Sequence, residues 1–265
     1  MTLLAGPSLL DAIVAATRHT VQVRAAAQPL NALERQMRRQ PDGAAFERAV
    51  RTTATPRVIA ECKRRSPSRG ILRQTYAPAA HARAYANAGA AAISVLTEPT
   101  FFDGSLDHLK QVRNAVDLPL LRKDFIVTEY QLFEAAAAGA DAVLLIVAAL
   151  TDGELKQLAG RARELGLAGL VEVHDEEEIP RAVDAGAGMI GVNSRNLRTL
   201  AVEPAALEHA AARLPREVAR VAESGIRERA DLDRLSAMGY DAFLVGERLI
   251  SQADPGAALR ELCSA

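Results

Sequence analysis

Of the 32 basic residues in this 265-residue chain, twenty-eight are arginines and four are lysines. Two of the lysines sit at the ends of apolar stretches: Lys63 closes RVIAECK, and Lys123 lies in LPLLRKDF, from Leu118 to Phe125. The two cations do different chemistry. An arginine stays protonated in any protein, whereas a partly desolvated lysine can move its pKa toward neutrality and give or take a proton. Lys110 and Lys156 fall on polar helical faces and read as surface charge. Lys63 and Lys123 are expected where proton transfer would be useful.

Most other groups able to do chemistry hold the same kind of position. Glu61 stands two residues before Lys63, and Glu172 lies near the end of LVEV. Asn193 is followed by Arg195, and the last two apolar runs finish in Glu223-Ser224-Gly225 and Gly246-Glu247. Charges so placed are costly unless paired or used. A ring of internal salt bridges is one reading. Two lysines, two glutamates and an Asn–Arg pair are better suited to acid–base chemistry on an anionic substrate. Ser224, Gly225 and Gly246, with Ser66, Ser68 and Gly70 after the first run, suggest backbone N–H groups open to a phosphate.

Bringing these groups together demands a particular set of elements. Eight mostly apolar runs are predicted strands: 58–62, 91–96, 118–122, 142–147, 169–173, 189–193, 219–223 and 242–245. None alternates strictly, as expected of strands buried on both faces. Between them, Thr151 with Glu154 and Asp175 with Glu178 have capping-box spacing. Pro204 and Pro255 suit a first helical turn, and Pro119 the entry of a strand. Gly89, Gly139, Gly166, Gly186 and Gly239 each close a helical stretch before a strand. Eight strand–helix units predict a (β/α)₈ TIM barrel over a single domain, residues 1–265, with the site at the strands' C-terminal ends. An open doubly wound sheet is the rival, but no GxGxxG follows its first strand. Residues 1–50 form a helical extension, with helices expected at 8–20 and 29–40; on residues alone it could plug the bottom or cover the mouth.

Bulk properties narrow the function classes. A hydrophobic content of 49% supports one large core, and a net charge of −1 offers no field for nucleic acid or an anionic membrane. The two cysteines, Cys62 and Cys263, suggest neither a disulfide framework nor a metal cluster. Cys62 is expected as a small core residue. The start of the chain has no basic n-region, and Pro7 and Asp11 interrupt its apolar run, so no signal peptide is expected. The expected location is cytoplasmic. Because the sequence ends soon after the eighth strand, no fused second barrel is expected.

IAECKRRSPSRG, LRKDFIV, GADAVLLIVAAL, LVEVHDEEE, GVNSRNLRTL, AESGI and FLVGERLI, in this order, resemble the indole-3-glycerol phosphate synthase family. The similarity spans nearly the whole chain, including the extension and FFDGSLDHL. It implies ring closure with decarboxylation and dehydration of 1-(2-carboxyphenylamino)-1-deoxyribulose 5-phosphate, without metal or organic cofactor and with no obligate protein partner. It implies a catalytic set of Glu61, Lys63, Lys123, Glu172, Asn193 and Ser224, and substrate contacts from Ser66, Phe125, Arg195, Gly225 and Gly246. It also favours the extension as a lid. Glu247 is at a position that varies in the family. Another phosphosugar barrel enzyme and a non-catalytic phosphate-ligand binder are the alternatives.

Overall fold

The computed structural model describes residues 8–51, 56–196 and 199–264, so Pro7 lies outside the described residues. Eight strands close a parallel barrel: β1 (Val58–Cys62), β2 (Ala92–Leu96), β3 (Leu120–Lys123), β4 (Ala142–Ile146), β5 (Ala168–Val173), β6 (Met189–Asn193), β7 (Ala219–Glu223) and β8 (Ala242–Val245). Each pairs with its sequence neighbours, and β8 closes onto β1 through Val58 with Phe243 and Ala60 with Val245. The expected (β/α)₈ architecture is the observed one. β3 runs to Lys123 and starts after Pro119, whose carbonyl accepts from Ile93 N.

The barrel explains why the strands lack polar–apolar alternation. One face of each strand packs inward, where Ile59, Leu121, Leu170, Val221 and Leu244 form a continuous interior. The other packs outward on the helices, joining Val58, Cys62, Tyr85, Leu109 and Phe243. Cys62 is a fully buried member of this outer layer, and burial pushes its thiol pKa well up, so it is an inert packing group.

The punctuation between strands does the expected work in most places. The Thr151–Glu154 box caps the helix Asp152–Glu164, and Pro255 opens the helix Pro255–Cys263. All five predicted helix-closing glycines are left-handed. The Asp175–Glu178 pair differs from expectation. Asp175 caps Glu177 N and Glu178 N, but Glu178 accepts from His174 N instead of returning to Asp175. Gly70 turns the short Arg65–Ser66 and Gly70–Ile71 hairpin and does not reach the cavity described below.

The extension is three helices: α1 (Leu9–Ala27), α2 (Leu30–Gln36) and α3 (Gly43–Arg51). α1 and α2 correspond to the predicted pair, with α1 longer and α2 shorter than expected; α3 has no counterpart in that expectation. The lid and the plug are both present. Leu10 and Ile13 of α1 pack over the mouth with Phe125 and Ile146, while Phe46 and Val50 of α3 close the opposite end on Ala92, Ala168 and Ala219. α2 passes between, with Leu33 against Tyr130 and Phe133 on the barrel's flank.

Candidate active site

Strand register carries the reactive groups to one level. Leu96 pairs with Lys123, Ile146 with Glu172, and Asn193 with Glu223, so these side chains surround the C-terminal mouth. They line a cavity of about 380 Å³. All eleven residues expected in the site, from Glu61 and Lys63 to Gly246, lie on its wall. Leu10 and Ile13 of α1 complete the wall from above.

Two lysine–carboxylate groups face this cavity. Lys63, just after β1, places Nζ 2.5 Å from Oε1 of the buried Glu61. Lys123 Nζ lies 3.1 Å from Glu172 Oε2 and 3.2 Å from Glu223 Oε2. Burial alone would lower the Lys123 pKa, but Glu172, Glu223 and Glu61 more than reverse it and hold the ammonium firmly protonated. The sequence-based expectation of a lysine shifted toward neutrality is therefore corrected: three carboxylates outweigh desolvation. Glu172 is also fully desolvated, yet Lys123 and His174 hold its carboxyl well below the ordinary range. Glu223 moves the other way, because burial and the Glu172 charge raise it more than Lys123 lowers it. Two carboxylates on one ammonium resist double ionisation, and so the pair shifts in opposite directions.

Glu223 was recognisable in the sequence as a strand-end charge but carried no expected role. Its signal was its equivalence in position to Glu172. His174 was not singled out either. It follows β5 directly, with Nε2 3.2 Å from Glu172 Oε1 and Nδ1 3.5 Å from Glu178 Oε2. Burial opposes its charge, but Glu172 and Glu178 raise its pKa to about 10.

The other side of the mouth is built for orientation and anion binding. Asn193 Oδ1 accepts from Ser224 Oγ at 2.8 Å and from Arg195 N at 3.0 Å. Ser224 has φ +68°, a left-handed backbone that a serine adopts only under constraint, and the Asn193 bond supplies it. Ser66 is buried, with Oγ 3.4 Å from Ser68 Oγ, and shares the wall with Gly225, Gly246 and Arg248. Arg195 Nη1 donates to Leu200 O, and its Nη2 stands 3.7 Å from Glu247 Oε2; Glu247 Oε1 accepts from Arg69. Phe125 is buried, its ring 6.2 Å from that of Phe102.

Two glycines make room for carboxylates. A Cβ on Gly246 would meet Glu61 Oε1 at 2.3 Å, and one on Gly191 would meet Glu223 Oε1 at 2.2 Å. Gly246 thus serves Glu61 as well as the cavity floor. Among the described residues there is no cluster of three or more His, Cys, Asp or Glu that could hold a metal, and no helix is long and apolar enough to cross a membrane.

Solved structures with this shape show the fold alone. One is a 3-hexulose-6-phosphate synthase, at a TM-score of 0.61 and 17% identity, covering 78% of this chain and 98% of that one. Another is the thiamine phosphate pyrophosphorylase of Pyrococcus furiosus, at a TM-score of 0.58 and 19% identity, covering 78% and 93%. Sequence similarity is far closer elsewhere. The chain is 49% identical over 258 residues to the indole-3-glycerol phosphate synthase of Mycolicibacterium vanbaalenii, covering 97% of this chain and 94% of the relative. It is 50% identical over 261 residues to indole-3-glycerol phosphate synthase 1 of Streptomyces coelicolor, covering 97% and 96%. It is 46% identical over 263 residues to the enzyme so named in Sulfurimonas denitrificans, covering 96% and 98%. The family model described as indole-3-glycerol phosphate synthase matches residues 10–262, and the chain belongs to that family of decarboxylating lyases of tryptophan biosynthesis.

Proposed function

We propose that this chain converts 1-(2-carboxyphenylamino)-1-deoxyribulose 5-phosphate to indole-3-glycerol phosphate, carbon dioxide and water, and that the Lys123–Glu172 contact is the centre of the reaction. The observation that carries this reading is Lys123 Nζ 3.1 Å from Glu172 Oε2 inside a cavity covered by α1. Lys123 protonates the ketone oxygen as the aryl carbon bearing the carboxylate attacks the ketone carbon. Breaking the bond to the carboxylate releases carbon dioxide and restores the aromatic ring. Glu172 then removes a proton from the carbon next to nitrogen while the hydroxyl leaves with a proton from the Lys63–Glu61 pair.

The proton count closes. Lys123 and Lys63 each give one proton and Glu172 gains one, so one proton enters from solvent per turnover, replacing the lost carboxylate. Because Glu172 and Lys123 touch, the proton taken by the first returns directly to the second. Arg195 and the Ser66, Gly225 and Gly246 wall hold the substrate's anionic groups, Asn193 and Ser224 orient it, and Phe125 offers an apolar face to the aryl ring.

The test is fluorescence of the indole product after addition of the aminodeoxyribulose phosphate. The chain has no tryptophan, so indole emission belongs to product alone. Absence of that emission would overturn the reading. A Schiff-base aldolase needs a neutral lysine amine, and the Lys123 ammonium disfavours it; borohydride should trap no lysine–substrate adduct.

A further inference from the structure

We infer that His174 is a positioning residue for Glu172: a second, permanent cation that keeps this carboxylate ionised while Lys123 is without its proton. The inference rests on the reading of Glu172 as base and deepens it. Proton donation by Lys123 removes the cation that holds Glu172 Oε2. A buried carboxylate left alone would then take up a proton, and the base would be lost before dehydration begins. His174 prevents this from the opposite side. Its Nε2 lies 3.2 Å from Glu172 Oε1, while Lys123 holds Oε2 at 3.1 Å, so each carboxylate oxygen has its own cation.

The surroundings of His174 fix its charge by geometry. Glu172 on its own strand and Glu178 beyond the following turn flank the ring, with Glu178 3.5 Å from Nδ1. Glu178 also accepts from His174 N at 2.8 Å, which ties the ring's backbone to its own counter-charge. From the other strands, Lys123 and Glu223 face the far side of Glu172. Both ring nitrogens are buried without a well-directed hydrogen bond, so Glu172 and Glu178 compensate them through charge. A neutral ring at this place would leave its nitrogens buried without partners; a charged one is compensated by two carboxylates. The same two carboxylates raise the histidine pKa against the effect of burial.

Two measurements decide the matter. In His174→Gln, and in His174→Asn should the first fail to fold, the acid limb of the kcat–pH profile should move up by at least about one pH unit. At neutral pH kcat should fall roughly tenfold or more with KM within about twofold, because substrate contacts are untouched. A profile that superimposes on the wild type overturns the inference. Wild-type protein labelled with ¹⁵N-histidine needs no variant: one of its five histidines should keep both ring nitrogens protonated at pH 8.5, and their absence overturns the inference as well. Glu172→Gln separates this idea from the reading beneath it. If that variant retains turnover, Glu172 is not the base; if it collapses while the His174 variants match wild type, only the role of His174 falls.

Discussion

An arginine in place of Lys123 would keep a positive charge between Glu172 and Glu223 but release no proton at accessible pH. Lys123→Arg should therefore lower kcat at least about a hundredfold with a smaller change in KM. Glu172→Gln should abolish turnover while substrate still binds, and a ring-closed, decarboxylated hydroxyl intermediate should accumulate on quenching. Gly246→Val should weaken product binding by calorimetry and also lower kcat, because the new side chain takes the space of Glu61. The charge of His174 has a stability consequence too. Its pKa rises from 6.5 unfolded to about 10 folded, so its contribution is complete below pH 6.5 and is lost as pH climbs through 10. The melting temperature of His174→Gln should thus fall below wild type at pH 7 and converge with it near pH 10.5. At this scale the sequence was legible where a residue's type limited its chemistry, as with Lys123 at a strand end. It offered Glu223 without a role and was silent on His174, whose importance depends on which neighbours the register brings within 4 Å, and on the sign of the Lys123 shift, which depends on how many carboxylates gather there.

The helices of the extension divide by what they cover. Ile13 of α1 is buried against the cavity, so Ile13→Ala should raise KM at least about fivefold, near the roughly 1 kcal/mol expected of a lost apolar contact. Phe46 of α3 is fully buried at the opposite end. Phe46→Ala should cost about 3–5 kcal/mol of stability in a denaturant melt and leave KM unchanged. A KM response to Phe46→Ala would show that the two ends of the barrel are not independent. The strands were the most legible elements because apolar runs bounded by charges and glycines leave few choices: 58–62, 189–193, 219–223 and 242–245 are as expected. α3 escaped notice because it is short and rich in arginine. Its apolar signal reduces to Phe46 and Val50, one turn apart, which acquire meaning only against the barrel's lower rim.

Across the whole molecule, the extension runs from the mouth along the flank to the base. Arg18 of α1 reaches Val127 O and Glu154; Arg24 binds Glu134 through Nε at 2.6 Å and Nη2 at 3.0 Å. Glu134 also meets Arg122, the neighbour of Lys123. At the base, Arg39 binds Asp141, and Gly43 N donates to Gly166 O. Nearly every anchor belongs to a segment about a hundred or more residues later in the chain. During synthesis, then, the anchors of α1 and α2 follow only with the segment after β3, and that of Gly43 only just before β5. The extension is thus made well before the residues that hold it. Phe46→Ala and Ile13→Ala should accordingly speed unfolding while leaving the refolding rate of the barrel nearly unchanged, as measured by stopped-flow.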